Sequence, residues 1–175
     1  VIDLVQQLTG NDPNGEGMLK ISVPRGRTYI FTMEEGSRVY LFQETQLVFP
    51  GTLGANGREV PLDGEAYCEV ARDEERPVVV KTAGASVKVL GTSFNVTAYS
   101  PQSTVETALV SGSVEINNRL LRPDQMAIVY PEDGKIEILP VSGDSYRERV
   151  AGNWVFDYIP LENIMEELRL WFDFD

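Results

Sequence analysis

A chain of 175 residues with 42% hydrophobic and 24% charged residues has the balance of a soluble globular protein, with room for one ordinary domain or for one domain plus a fragment. Fifteen Lys plus Arg against 27 Asp plus Glu leave a formal net charge of −12, a field that repels a phosphate backbone and argues against nucleic-acid binding. With no histidine and a single cysteine, Cys68, the chain has no Ser-His-Asp or Cys-His pair, no internal disulfide and no His- or Cys-pair zinc site.

Residues 1–18 read as a leader. Val1, Leu4, Val5 and Leu8 have the spacing of a short helical turn, and Thr9 to Gly17 is crowded with turn formers. No stretch approaches the roughly 18 consecutive apolar residues of a membrane span. No basic-then-apolar leader is present either, so any targeting or anchoring segment is expected outside these residues.

From residue 19 to 140, short runs rich in Val, Ile, Thr, Tyr and Phe alternate with Gly, Pro, Asn and Asp. The predicted strands are 19–23, 28–32, 38–42, 46–49, 59–62, 66–70, 78–81, 86–90, 94–99, 104–110, 113–116, 125–129 and 135–139. Strand starts recur about every ten residues, the rhythm of an all-β sandwich, barrel or solenoid. The fold class expected is mainly β, as a sandwich or a solenoid-like domain. Alternation assigns the faces: Ala66, Cys68 and Val70 point one way, Tyr67 and Glu69 the other. Phe94, Val96 and Ala98 oppose Asn95, Thr97 and Tyr99 in the same manner, which fixes the register.

The composition changes after Pro140. Residues 141–152 read as a linker, with Tyr146 to Val150 charged, and 153–175 as the start of a small β-α(-β) unit. A strand is expected at Trp154–Tyr158. Pro160 then precedes a helix on which Leu161, Ile164, Met165, Leu168, Trp171 and Phe172 form one apolar stripe.

Candidate chemistry is sparse. Glu65 and Glu69 flank Tyr67 on one strand face about 13 Å apart, beyond the separations used by glycosidase carboxylate pairs; a solvated, charged face is expected there. Asp73-Glu74-Glu75-Arg76-Pro77 lacks the alternating oxygen ligands and central Gly of a calcium loop and reads as a solvated turn. Gly84, Gly91 and Gly112 lie near strand ends without phosphate-loop spacing. Cys68, with apolar neighbours and no adjacent base, is expected to be buried and inert. Trp154, Phe156 and Tyr158 share a strand face, as core for the following helix or as a sugar platform. No catalytic, metal-binding or cofactor-binding residues are identified.

Several ordered motifs resemble the FecR domain. Its central signature is matched by Gly64-Glu65-Ala66-Tyr67-Cys68-Glu69-Val70, Arg76-Pro77-Val78-Val79-Val80 and Val89-Leu90-Gly91-Thr92-Ser93-Phe94-Asn95-Val96. Val23-Pro24-Arg25-Gly26 and Glu35 to Leu41 are similar to its opening hairpin. Val110-Ser111-Gly112-Ser113-Val114 and Leu121-Arg122-Pro123-Asp124-Gln125 are similar to its later steps. Phe156 to Leu161 and the helix after it resemble the small C-terminal domain paired with FecR domains in Bacteroidetes-type proteins, itself similar to the secretin and TonB short N-terminal fold. The chain departs from the pattern at Phe42, often Asn; at Cys68, usually Phe; at Asp124, usually Gly; and at Arg149, commonly aromatic.

The resemblance implies a non-enzymatic, periplasmic part of a single-pass inner-membrane anti-sigma factor. Its partners would be the N-terminal signalling domain of a TonB-dependent outer-membrane transporter and, through a cytoplasmic segment outside these residues, an extracytoplasmic-function sigma factor. Gly64, Glu65, Gly91, Thr92, Phe94, Asn95 and Gly112 would be its structural signature. Partner contact is expected at Tyr146, Arg147 and Arg149 with Trp154, Phe156 and Tyr158, where strand edges are natural docking surfaces. The competing expectations are a secreted carbohydrate-binding or adhesion β-domain and a hydrolase built on Glu65 and Glu69.

Overall fold

The computed structural model describes residues 18–33, 35–50, 58–100 and 102–153, and beyond them Leu161, Glu162, Ile164, Met165 and Leu168. Across the described residues from 18 to 150 the elements succeed one another as β1 Met18–Ser22, β2 Tyr29–Thr32, β3 Arg38–Leu41, β4 Gln46–Pro50, β5 Arg58–Glu69, β6 Val78–Lys81, β7 Ser86–Val89, β8 Ser93–Ala98, β9 Val105–Ser111, β10 Val114–Ile116, β11 Arg119–Leu121, β12 Gln125–Tyr130, β13 Lys135–Pro140 and α1 Gly143–Val150. The mainly β expectation holds. The strands join into a single sheet in the order β11-β10-β7-β6-β5-β8-β9-β12-β13, with β1 attached through β4 and β2 through β3. The sheet curls as a half-barrel around one core.

Strand β5 organises this curl. Residues 58–61 run parallel to β6, and Leu62 and Asp63 pair with β4. Residues 64–69 pair antiparallel with β8, and 66–69 also with β3 on the other side. The sequence suggests two strands here, 59–62 and 66–70, because Gly64 looks like punctuation. It is instead a bend within one strand. Gly64 adopts φ +129°, and a Cβ placed on it would lie 2.4 Å from Thr45 Oγ1. Only glycine permits that approach.

The inner face follows the alternation. Leu41, Val87, Phe94, Val96, Leu109, Val114, Ile116 and Val129 are at most 1% exposed, and Ala66 and Cys68 lie in the same cluster with Val70 packed against it. Beside Cys68 is a cavity of about 40 Å³, its walls formed by Val39, Leu47, Val60, Ala66 and Phe94 among others.

Two elements escaped the sequence reading. Strand β11 closes a hairpin with β10 across Asn117 and Asn118, whose φ values of 44° and 66° suit a tight two-residue turn. Within 141–152, expected as a linker, the chain forms α1. Residues 1–17 and the expected strand at Trp154–Tyr158 lie outside the described residues. Leu161, Glu162, Ile164, Met165 and Leu168 are helical. Of this apolar stripe, Leu161 is 71% exposed and Met165 37%.

Candidate functional site

On the outer face of the sheet, beneath α1, lies a connected group of buried polar contacts. Glu65 and Tyr67 project outward from β5, and Asn95 from the adjacent β8; Val110 lies on β9 and Phe42 just after β3. Glu65, expected on a solvated face, is 4% exposed, and Tyr67 is 1% exposed. That expectation is corrected: a helix 80-odd positions downstream folds back over these residues. Glu69 does sit at the water's edge, bridged to Arg38 at 2.7 Å.

Glu65 is the centre of the group. Arg149 of α1 donates from Nη1 to Oε1 at 2.9 Å and from Nη2 to Oε2 at 3.1 Å, a two-pronged match of guanidinium to carboxylate. Asn95 Nδ2 donates to the same Oε1 at 3.0 Å and to Thr97 Oγ1 at 3.2 Å. The guanidinium carbon of Arg149 lies 4.8 Å from the centre of the Phe42 ring, within cation–π range. Side-chain exposure is 16% for Arg149 and 6% for Glu65, so the pair is almost fully withdrawn from water. The Glu65 backbone is fixed as well: its N–H donates to Thr45 Oγ1 at 2.9 Å, and that hydroxyl is 3.1 Å from the Glu65 carbonyl.

Around the pair is a second, smaller apolar cluster of Phe42, Tyr67 and Val110, with Tyr40, Tyr146 and Val150 packed against it. Tyr40 and Tyr67 meet edge to face at 5.8 Å. The Tyr146 hydroxyl reaches Met126 Sδ at 3.8 Å. The N-terminal end of α1 is tied down by Asp124, whose Oδ1 accepts the Gly143 N–H at 2.9 Å. Asp124 adopts φ 63°, in the left-handed region that a turn glycine would favour. Three of the four departures from the family pattern, Phe42, Asp124 and Arg149, therefore meet α1 or lie on it. The fourth, Cys68, lines the inner cavity, where burial pushes its thiol up to about 12.

The remaining predicted residues fall into two groups. Gly91 adopts φ +144° against the Arg72 backbone, where a Cβ would sit 2.6 Å from Arg72 Cα. Thr92 donates from Oγ1 to the Ser113 carbonyl at 2.9 Å, next to Gly112, and Phe94 is in the core. Their contacts are within the sheet framework. Of the contact candidates, Tyr146 and Arg149 are turned onto the sheet, whereas Arg147 is half exposed and paired with Asp144 at 2.6 Å. Trp154, Phe156 and Tyr158 lie outside the described residues. Asp73 accepts the backbone N–H groups of Glu75 and Arg76, both at 3.1 Å, which is the solvated turn expected there. Among the described residues, no three acidic or Cys side chains cluster as a metal site would need.

The FecR protein family matches residues 19–115, more than half of the chain. The chain belongs to this family. Two crystal structures of a Parabacteroides distasonis protein assigned as an anti-sigma factor, at 2.50 and 1.65 Å, superpose with a TM-score of 0.77 each. The first is 29% identical over 89% of this chain and 75% of its own; the second is 30% identical over 88% and 74%. No curated protein matches. Family and neighbours support an anti-sigma signalling role and point to regulation rather than catalysis. Among the described residues, no helix is long and apolar enough to cross a membrane.

Proposed function

We propose that this chain is the periplasmic, signal-receiving part of a single-pass inner-membrane anti-sigma factor. It would pass the substrate status of a TonB-dependent outer-membrane transporter to an extracytoplasmic-function sigma factor held by a cytoplasmic segment outside these residues. The observation that carries this reading is the run of FecR motifs across one continuous domain. Such a receiver needs no reacting groups, only a differential affinity for two states of its partner.

The contact region proposed is α1 together with the residues after it, with Arg147 on the outward side and Trp154, Phe156 and Tyr158 beyond. Tyr146 and Arg149 would act there by holding α1 in place. The glycan-binding alternative draws less support: the large apolar side chains exposed among the described residues, such as Ile30, Leu120, Ile138 and Leu139, are aliphatic rather than aromatic. Calorimetric titration with the N-terminal signalling domain of the cognate transporter tests the reading. A one-to-one complex at about micromolar affinity or tighter supports it; a folded chain that binds no such domain from the same genome overturns it.

A further inference from the structure

The groups beneath α1 share one ligand chemistry. Glu65 presents both carboxylate oxygens side by side to Arg149, and Asn95 holds one of them at 3.0 Å. Phe42 supplies an aromatic face 4.8 Å from the guanidinium carbon. A fork of acceptors beside a π face suits a planar guanidinium and not a compact ammonium. All three groups belong to the sheet and its loops and have partners there: Thr45 holds the Glu65 backbone, Thr97 braces Asn95, and Phe42 clusters with Tyr67 and Val110.

The occupant is far less self-sufficient. Helix α1 has eight residues, and its N-cap, Ser142, makes no side-chain capping bond. A helix of this length is not stable alone. Tyr146 and Val150 are the residues it packs into the outer cluster. The site is thus built by the sheet, and the helix depends on the site.

We propose that Glu65, Asn95 and Phe42 form a preformed guanidinium-binding site, filled in cis by Arg149 and open to an arginine of a partner protein when α1 lifts. The formal net charge of −12 favours approach by a basic partner surface. The exchange with a partner rests on the receiver reading; the site itself does not.

The test is selective rescue of the emptied site. Arg149→Ala is unfolded thermally in tens of millimolar methylguanidinium or methylammonium chloride, with the Glu65→Gln/Arg149→Ala double variant alongside. Methylguanidinium is expected to raise the midpoint of Arg149→Ala by about 3 °C over methylammonium, and the double variant is expected to show no such difference. Equal effects of the two cations on Arg149→Ala, or the same selectivity in the double variant, overturn the site. Should Arg149→Ala not fold, amide exchange of residues 143–150 in Glu65→Gln decides: roughly tenfold faster exchange than in the parent is expected, and unchanged exchange overturns it. No transporter domain enters these measurements, so their failure is distinct from failure of the receiver reading.

Discussion

Glu65 and Arg149 stand 84 positions apart in sequence and share two hydrogen bonds, at 2.9 and 3.1 Å, on the outer face of the sheet. A buried ion pair is weak evidence for net stability, because desolvation offsets most of the attraction, yet losing one partner strands the other. Glu65→Gln and Arg149→Met are each expected to destabilise the chain by ~2–3 kcal/mol. The double variant should lose less than the sum of the two, by at least ~1 kcal/mol. Urea unfolding of the four proteins measures this coupling, and strict additivity would deny the pair any specific role.

Gly64 and Gly134 separate two kinds of glycine requirement. Both have positive φ, but nothing lies within 4 Å of a Cβ on Gly134, whereas one on Gly64 would collide with Thr45. Gly134→Ala should cost about 1 kcal/mol, from backbone strain alone. Gly64→Ala should cost more than ~3 kcal/mol or prevent folding, since β5 must open from Thr45. Circular dichroism melts of the two variants compare the costs directly.

Cys68 borders a cavity of about 40 Å³. Cys68→Val, whose branched side chain suits a strand, is expected to gain ~0.5–1 kcal/mol by filling part of it. The thiol, raised to about 12 by burial, should resist thiol reagents at pH 8 and react once urea unfolds the chain. Prompt labelling of the native protein would contradict this burial.

Glu106 lies on β9, and burial raises its carboxyl above the ordinary carboxylate range. Its folded pKa then exceeds the unfolded one, so its contribution is fully present below the unfolded pKa and is lost as pH rises through the folded pKa. At neutral pH the ionised side chain is therefore a liability. Glu106→Gln should raise the melting temperature at pH 7, with the gain shrinking as pH falls through the raised folded pKa and gone below the unfolded value of about 4.3. Melts of both proteins from pH 3.5 to 8 read the crossover.

The inner face was legible because its chemistry is local: Phe94, Val96 and Ala98 alternate with Asn95 and Thr97, and the register is set by that alternation. Strand β6 falls on residues 78–81 as predicted. The outer site was not legible as a site, although Glu65, Asn95 and Arg149 each stood out separately. A strand face carrying Glu65 and Glu69 looks solvated in sequence, and its cover arrives from residues 143–150. That helix is hidden in turn, since charged and small residues dominate its sequence and only Tyr146 and Val150, four apart, mark an apolar side. Its formation depends on the sheet beneath. The merger of two predicted strands into β5 has a similar origin, because a bend and a break at Gly64 share one sequence signal.

Strand β5 also decides how the domain bears mechanical load. A pull applied beyond Val150 travels along α1 and meets the Arg149–Glu65 bond before it reaches β13, the margin of the sheet that would otherwise peel from β12 one pair at a time. Tension is thereby delivered to the strand that is bonded to β3, β4, β6 and β8. The clamp is thus loaded ahead of the β12–β13 pairing, and that margin comes under tension only once the Arg149–Glu65 bond gives way.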